Sequence, residues 1–349
     1  RAPRDGIAML NAVYQLTAPR RIEVAIVDEP ITDESLVVRP RLLSICHADQ
    51  RYYQGTRPPE VMAQKLPMAL IHEGLGEVVE DRTNTFRPGD MVVMIPNIPC
   101  EQDSYRAENY LRTSKFRGSS TDGFMQELIV TTPDRAVLVP EGVDPYVAAF
   151  TELVSVSMHA VSRFIRFSHD SRSTIGIWGD GNLGYITALM LKKILPSSHV
   201  CVFGLNDFKL SDFTFVDATY HTTQIPPDLK IDHAFECVGG LGCSAAIDQV
   251  IDRIQPEGTI SLLGVSENPV PINTRMVLEK GLRLFGSSRS GRDDFEATID
   301  LYATDPSVVS YLRQIIGQVV RVSDIPDIDE AFEADIKKAA GKTIMEWRI

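Results

Sequence analysis

The stretch SICHADQRYYQG, residues 44–55, gathers a thiol at Cys46, an imidazole at His47, a carboxylate at Asp49 and a guanidinium at Arg51, with Tyr52 and Tyr53 beside them. A plain core strand does not accept such charges, and a surface loop has no use for the thiol. Two other stretches supply partners: LIHEGLG brings His72 and Glu73, and FTELVSVSMHA brings Glu152. Thiolate, imidazole and carboxylate are the ligand types of tetrahedral zinc. A catalytic zinc keeps one position for water or substrate. The candidate metal set is Cys46, His72, Glu73 and Glu152, with Asp49 placed to orient His72. Cys46, His47, Asp49 and Glu152 are the candidate catalytic residues. Each has a plainer reading alone: an inert buried cysteine, a polar pair at a strand end, a carboxylate on a helix surface. Their co-occurrence in one chain favours the metal.

A second chemical pattern lies in IGIWGDGNLG, where Gly179, Gly181 and Gly184 make G-x-G-x-x-G after an apolar run and before a helical stretch. That setting gives a tight turn, close backbone approach to a pyrophosphate and helix N–H groups facing it. Gly179, Asp180, Gly181, Asn182, Leu183 and Gly184 are therefore candidate dinucleotide-binding residues, with Asn206, Lys209, Val238 and Gly264 further on. An NAD site places an acid roughly 20 residues beyond the third glycine, to hold the adenosine ribose. Gly204 and Leu205 stand there, with Asn206, Asp207 and Lys209 just beyond. The missing acid and Lys209 favour NADP(H); the alternative is that Asp207 takes the ribose.

These residues need elements to position them. The 349-residue chain is long enough for two domains. Its first part is rich in β-type runs broken by Gly and Pro, such as ESLVVRPRLLSI, RPGDMVVMIPN and GFMQELIVTTPDRAVLVP. The polar segment between Pro96 and Gly118 reads as a loop with a short helix. Near Pro145 the pattern turns helical. Strand and helix then alternate through STIGIWGDG, HVCVFG, DHAFECVGG, GTISLLGV and LRLFGSSRSG, which implies a parallel sheet. The tail is helical and closes on the strand-like KTIMEWRI.

Composition narrows the classes. A net charge of −12 argues against a general nucleic-acid or membrane-surface binder, so an anionic substrate needs a local basic pocket. Arg51 and Arg57, with Tyr52 or Tyr53, are the candidate substrate contacts; Lys65, Arg117 and Arg289 are further ones. The five scattered cysteines fit a reducing compartment. No run approaches the ~18 apolar residues of a transmembrane helix. The opening RAPRDGIAML lacks a signal-peptide apolar region and reads as a processed or tagged start. A cytoplasmic location is expected.

Several segments resemble the zinc-dependent medium-chain alcohol and polyol dehydrogenases: CHAD, IHEGLG with Ile71 where that family has glycine, RPGDMVV, and ELVSVSMHA. The resemblance implies an α/β chain with a GroES-like, mostly β catalytic domain over residues 1–155 and 290–349. It implies a Rossmann domain with a doubly wound parallel sheet over residues 156–289. Two departures stand out. The region of the family's four-cysteine structural zinc lobe contains only Cys100, so one zinc per chain is expected, with no structural zinc. Ala48 replaces the family's Ser or Thr, leaving the proton route to His47, Tyr53 or a water held by Glu152.

The stretches CHADQRYYQG, KLPMALIHEG, AENYLRTSKFRGSSTDGFMQE, IWGDGNLGYITA and LEKGLRLFGSSRSGRDDF look like the ribulose-5-phosphate reductases of bacterial wall teichoic acid synthesis. That resemblance implies reduction of ribulose 5-phosphate to ribitol 5-phosphate with NADPH, zinc acting as Lewis acid. It implies a cytidylyltransferase that consumes the product, and a homodimer formed near Leu284–Gly286. That family usually carries Lys or Arg just after the second Rossmann strand, where this chain has Leu205 and Asn206. The alternatives are a zinc polyol dehydrogenase acting on an unphosphorylated sugar alcohol, or a catalytically silent nucleotide-binding scaffold.

Overall fold

The computed structural model describes residues 7–349; the opening six, part of the stretch read as a processed start, lie outside them. The chain divides into two compact units. The first runs to Glu152 and resumes at Ser290, and the second spans Leu153–Arg289.

The first unit is built on a seven-stranded sheet. Its path runs Ala136–Leu138, Met91–Met94, Glu73–Asp81, Leu36–Ile45, Lys342–Trp347 and Ile316–Val322, and Ile129–Thr131 also pairs with Leu36–Ile45. The strand Leu36–Ile45 is buried along its length except at Arg39 and Arg41, which are partly exposed. Pro40 lacks an N–H for the ladder, and the register shifts between Pro40 and Leu42. The last strand, Lys342–Trp347, lies antiparallel to Leu36–Ile45 and parallel to Ile316–Val322. The strand Lys342–Trp347 is thus an interior strand of this sheet. Ile316–Val322 was not foreseen in the tail: its alternating, half-exposed pattern sits between helices.

A smaller sheet of Arg21–Ile31, Ile7–Ala18 and Met68–Ala69 shares this unit's core. The helix Ile325–Lys337 packs on it too, and the rings of Tyr53 and Phe332 stack at 4.5 Å. The Pro96–Gly118 segment holds a 3-10 turn at Glu108–Tyr110, as expected. It also holds a short hairpin of Asn97–Ile98 with Lys115–Phe116.

The second unit is a six-stranded, wholly parallel sheet. Its order is Ala218–His221, His199–Gly204, Thr174–Trp178, His233–Glu236, Thr259–Leu262 and Arg283–Gly286. Strand order reverses beside Thr174–Trp178, and ligands of such sheets bind outside the carboxyl ends of the strands at that point. The glycine turn follows this strand directly. Ala218–His221 escaped notice because it is four residues long and half exposed.

One core group couples this unit to pH. His233 is fully buried, its Nδ1 accepts the Thr259 N–H at 3.0 Å, and its ring lies 4.3 Å from that of His169. Burial, then His169, lowers its pKa to about 4. Such a histidine stays neutral in the fold but takes up a proton on unfolding near pH 6.5. Its contribution is complete above that pH and is lost as pH falls towards 4. Asn at this position keeps an acceptor and does not titrate. We expect melting between pH 6.5 and 4.5 to fall more steeply in the native protein than in His233→Asn. The difference should be about 1–2 kcal/mol after allowance for solvent screening, and parallel curves would refute the assignment.

Candidate active site

Cys46 ends the strand Leu36–Ile45 and caps the helix His47–Tyr53 in an extended conformation. Asp49, three residues on, turns back so that its Oδ2 accepts the Cys46 N–H at 2.9 Å. This is the carboxylate half of a capping box. The other oxygen, Oδ1, accepts the Ile71 N–H at 3.0 Å and lies 3.5 Å from His72 Nδ1. One carboxylate therefore fixes the cysteine loop, the residue before the histidine and the histidine ring. It turns Nδ1 inward and leaves Nε2 for a ligand. Ile71 sits at φ 73, where a β-branched residue is strained. That explains why glycine is the related pattern here.

His72, Glu73 and Glu152 present ligand atoms within 4.8 Å of one another, and so do Cys46, Asp49 and His72. All are buried except Cys46, which is partly accessible. Burial opposes charge on His72, but Asp49 and Cys46 outweigh it and raise its pKa well above the ordinary histidine value. Burial, then the neighbouring Glu73, pushes Glu152 up to about 7 against the pull of His72 and Lys342. The pocket is thus rich in anionic groups. A thiol, an imidazole and a carboxylate converging there fit zinc.

Glu73 enters this cluster already partnered. Lys342 Nζ lies 2.9 Å from its Oε1 and 2.8 Å from its Oε2, and also donates to the Ile45 carbonyl at 3.0 Å. Both side chains are buried. Lys342 was not foreseen from sequence: it lies 269 residues from Glu73, in a stretch with no motif.

His47 is exposed. Burial lowers its pKa, and Arg51 and Lys338 depress it further against the pull of Asp335, so basic groups from two parts of the chain gather around it. Arg57 lies over the Tyr52 ring at 4.3 Å. Two sequence candidates are committed elsewhere. The Tyr53 hydroxyl donates to Asp329 Oδ1 at 3.1 Å on the packed helix, away from any proton route. Arg117 donates to the Val130 carbonyl at 2.9 Å and faces Glu29 and Asp122, so it is structural rather than a phosphate ligand.

In the second unit, Gly179 adopts φ 130, and a Cβ there would lie 2.9 Å from the Cys237 backbone. A Cβ on Gly184 would stand 2.0 Å from the Gly179 carbonyl oxygen. Only glycine permits this turn at the start of the helix Asn182–Ile194, and it forms a cradle for a pyrophosphate. The strand end read as free of acid is not so. Asp180 Oδ2 accepts the N–H groups of Leu205 and Asn206, each at 2.8 Å, bringing a carboxylate from the glycine turn. Asn206 caps the short helix Asp207–Leu210 through the Lys209 N–H. Glu236 was missed. Fully buried, it accepts the N–H groups of Val238 and Gly239 at 2.8 Å and of Gly264 at 3.1 Å, tying together the loops that carry the candidates Val238 and Gly264. An acid ending a buried strand before two glycines was the available signal.

Comparison with known proteins agrees with this geometry. Residues 32–141 match the family described as alcohol dehydrogenase GroES-like domain, and residues 146–346 match glucose dehydrogenase C-terminus. The ribulose-5-phosphate reductase of Bacillus spizizenii is 53% identical over 341 residues, 98% of this chain and 100% of that protein. Ribulose-5-phosphate reductase 1 of Staphylococcus aureus is 53% identical over 339 residues, 97% and 99% of the two chains. Among solved structures, S. aureus TarJ in complex with NADPH matches with a TM-score of 0.87 at 49% identity, over 98% of this chain and 100% of that one. The two-unit fold and the thiol–imidazole–carboxylate pocket define a medium-chain dehydrogenase of the zinc alcohol dehydrogenase type. Within that class, the chain belongs to the ribulose-5-phosphate reductase family.

Replacing Lys342 by Met leaves the Glu73 charge buried and unpaired. We expect Lys342→Met to lower stability by about 3–5 kcal/mol in urea unfolding. Lys342→Met with Glu73→Gln should recover much of that, because no lone charge remains. A single-variant cost below about 1 kcal/mol would show that the pair does not hold the sheet together.

Proposed function

We propose that the protein reduces D-ribulose 5-phosphate to D-ribitol 5-phosphate with NADPH, at a zinc held by Cys46, His72 and Glu152. The observation that carries this reading is a pair of donor groups joined at His72, Cys46–Asp49–His72 and His72–Glu73–Glu152, in a chain whose near-full-length relatives at 53% identity are ribulose-5-phosphate reductases. A zinc held by these residues would supply Lewis acidity at the C2 carbonyl, and NADPH held by the Gly179–Gly184 turn would supply the hydride. The protein's own groups do the rest. Asp49 holds the His72 ring in orientation. Glu73 with Lys342 adds a neutral, hydrogen-bonded wall to the pocket. Ala48 offers no hydroxyl and Tyr53 is held by Asp329, which leaves His47, beside Cys46 and open to solvent, or a water held by Glu152 to carry a proton to the product oxygen.

Spectrophotometric oxidation of NADPH with ribulose 5-phosphate tests the reading; ribulose and sorbitol with NAD test the unphosphorylated alternative. A scaffold without catalysis would turn over none of them. Elemental analysis should find about one zinc per chain. Cys46→Ala should lose both metal and activity while keeping native far-ultraviolet dichroism. Two tightly held ions would contradict a single catalytic site.

The substrate's dianion needs a local cation on an acidic protein, and an arginine fork matches phosphate oxygens. Arg51, which shares a helix with His47, and Arg57, braced on Tyr52, are the proposed phosphate contacts. Such contacts act far from the reacting carbon and position C2. Arg51→Ala or Arg57→Ala should cost about 2–4 kcal/mol in kcat/KM for ribulose 5-phosphate and little for ribulose. Equal losses on both substrates would move the phosphate to Lys65 or Arg289.

We further propose that the product feeds a cytidylyltransferase of a teichoic-acid-type pathway and that the enzyme works in the cytoplasm. Among the described residues no helix is long and apolar enough to cross a membrane. The outer strand of the parallel sheet, Arg283–Gly286, offers an edge for a second copy. Sedimentation at the monomer mass would remove the homodimer from this proposal.

A further inference from the structure

The Rossmann strand end that governs the cofactor's 2′ position holds a carboxylate delivered from an unexpected part of the chain. His199–Gly204 lies parallel to Thr174–Trp178, with Phe203 opposite Trp178. Their C-terminal ends are therefore level, and the turn after Trp178 stands beside Gly204. A Cβ at Gly204 would fall 2.6 Å from Asp180 Cβ and 2.7 Å from its Oδ2. Residue 204 can carry no side chain of its own, and Asp180 takes the space. Its Oδ2 is spent on the Leu205 and Asn206 N–H groups. Oδ1 has no hydrogen-bond partner among the described residues. This is the place where dinucleotide folds present an acid to the ribose hydroxyls.

We infer that Asp180 is the cofactor-discriminating residue, serving as the ribose acid and tempering the preference for NADPH over NADH. A 2′-hydroxyl can donate to Oδ1. A 2′-phosphate brings a dianion against the same carboxylate, and like charges at close range repel. The basic support nearby is thin. Lys209 lies within a short helix that opens with Asp207. His221 is already engaged, its Nε2 with the Leu205 carbonyl at 2.9 Å and its Nδ1 with the Thr223 hydroxyl at 2.7 Å. NADPH binding is thus a balance of Lys209 against Asp180, and NADH remains a competent ligand.

The inference rests on the reading that the glycine turn binds a nicotinamide dinucleotide, and its test uses binding rather than turnover. Dissociation constants for NADPH, NADH, 2′,5′-ADP and 5′-AMP are measured by fluorescence titration and competition on the native protein, Asp180→Asn and Lys209→Ala. Asparagine keeps an acceptor for both loop N–H groups and removes only the charge. Asp180→Asn should tighten NADPH and 2′,5′-ADP about five-fold and leave NADH and 5′-AMP unchanged or weaker. The gain should shrink as salt is raised. Lys209→Ala should weaken the 2′-phosphorylated pair alone. Equal weakening of all four ligands by Asp180→Asn would make Asp180 a mere loop brace, and no change in any would remove it from recognition; either result overturns the inference. If the native protein binds neither dinucleotide, the cofactor reading itself fails. If it binds both and Asp180→Asn does not discriminate, only this inference falls.

Discussion

Asp49 and Glu73 are buried carboxylates on either side of His72, and an unpaired buried charge is among the most costly features a fold can contain. The protein answers each differently. Asp49 is stabilised by two backbone N–H groups, Cys46 and Ile71, and by the histidine it faces. Glu73 is neutralised by Lys342, which only the final strand can deliver. The catalytic sheet is therefore complete only when the chain's end lies beside Leu36–Ile45. Metal pocket and topology become one constraint: the strand that closes the sheet also carries the cation that makes the pocket electrostatically tolerable.

That coupling explains which parts were legible in the sequence. Cys46, His72, Glu73 and Glu152 were readable because their types are rare together and match one metal's chemistry. The structure gathers them in two groups that share His72, one with Cys46 and Asp49 and the other with Glu73 and Glu152. The alternation of short buried strands with helices announced the parallel sheet, since period and length suffice for it. Lys342 was invisible: a lysine in KTIMEWRI looks solvent-exposed until its register opposite the Ile45 end is known. Arg117 and Tyr53 show the converse. Each looked free for substrate because a sequence displays residue type but not the partner that consumes it. Glu29, Asp122 and Asp329 do so here.

The nucleotide unit repeats the lesson at finer scale. Counting residues from the third glycine located the correct strand end, and Gly204 and Leu205 are indeed there. Counting along one strand cannot see a side chain arriving from the neighbouring turn. The carboxylate supplied by Asp180 depends on parallel pairing that levels Trp178 with Phe203. Glu236 belongs to the same class. It acts through three N–H groups on two loops, setting backbone that a ligand would meet without needing to touch the ligand itself. In both cases an acid at or just beyond the end of a buried strand organises main chain at the carboxyl edge of the sheet.

Ile71 shows what such organisation costs. A β-branched residue at φ 73 carries about 1–3 kcal/mol of backbone strain, and it persists only where surroundings over-determine it. Here they do: the Ile71 N–H donates to Asp49, its carbonyl accepts the Phe124 N–H at 2.7 Å, and its side chain is fully buried. The left-handed turn changes chain direction immediately before His72 and so decides where the imidazole enters the pocket. Glycine would adopt it without strain but would give up the buried side chain, worth about 1.5–3 kcal/mol. The isoleucine is therefore tolerable on energetic grounds. The strain it stores is held by the same Asp49 carboxylate that faces His72, so the orientation of the histidine and the conformation of its neighbour stand or fall together.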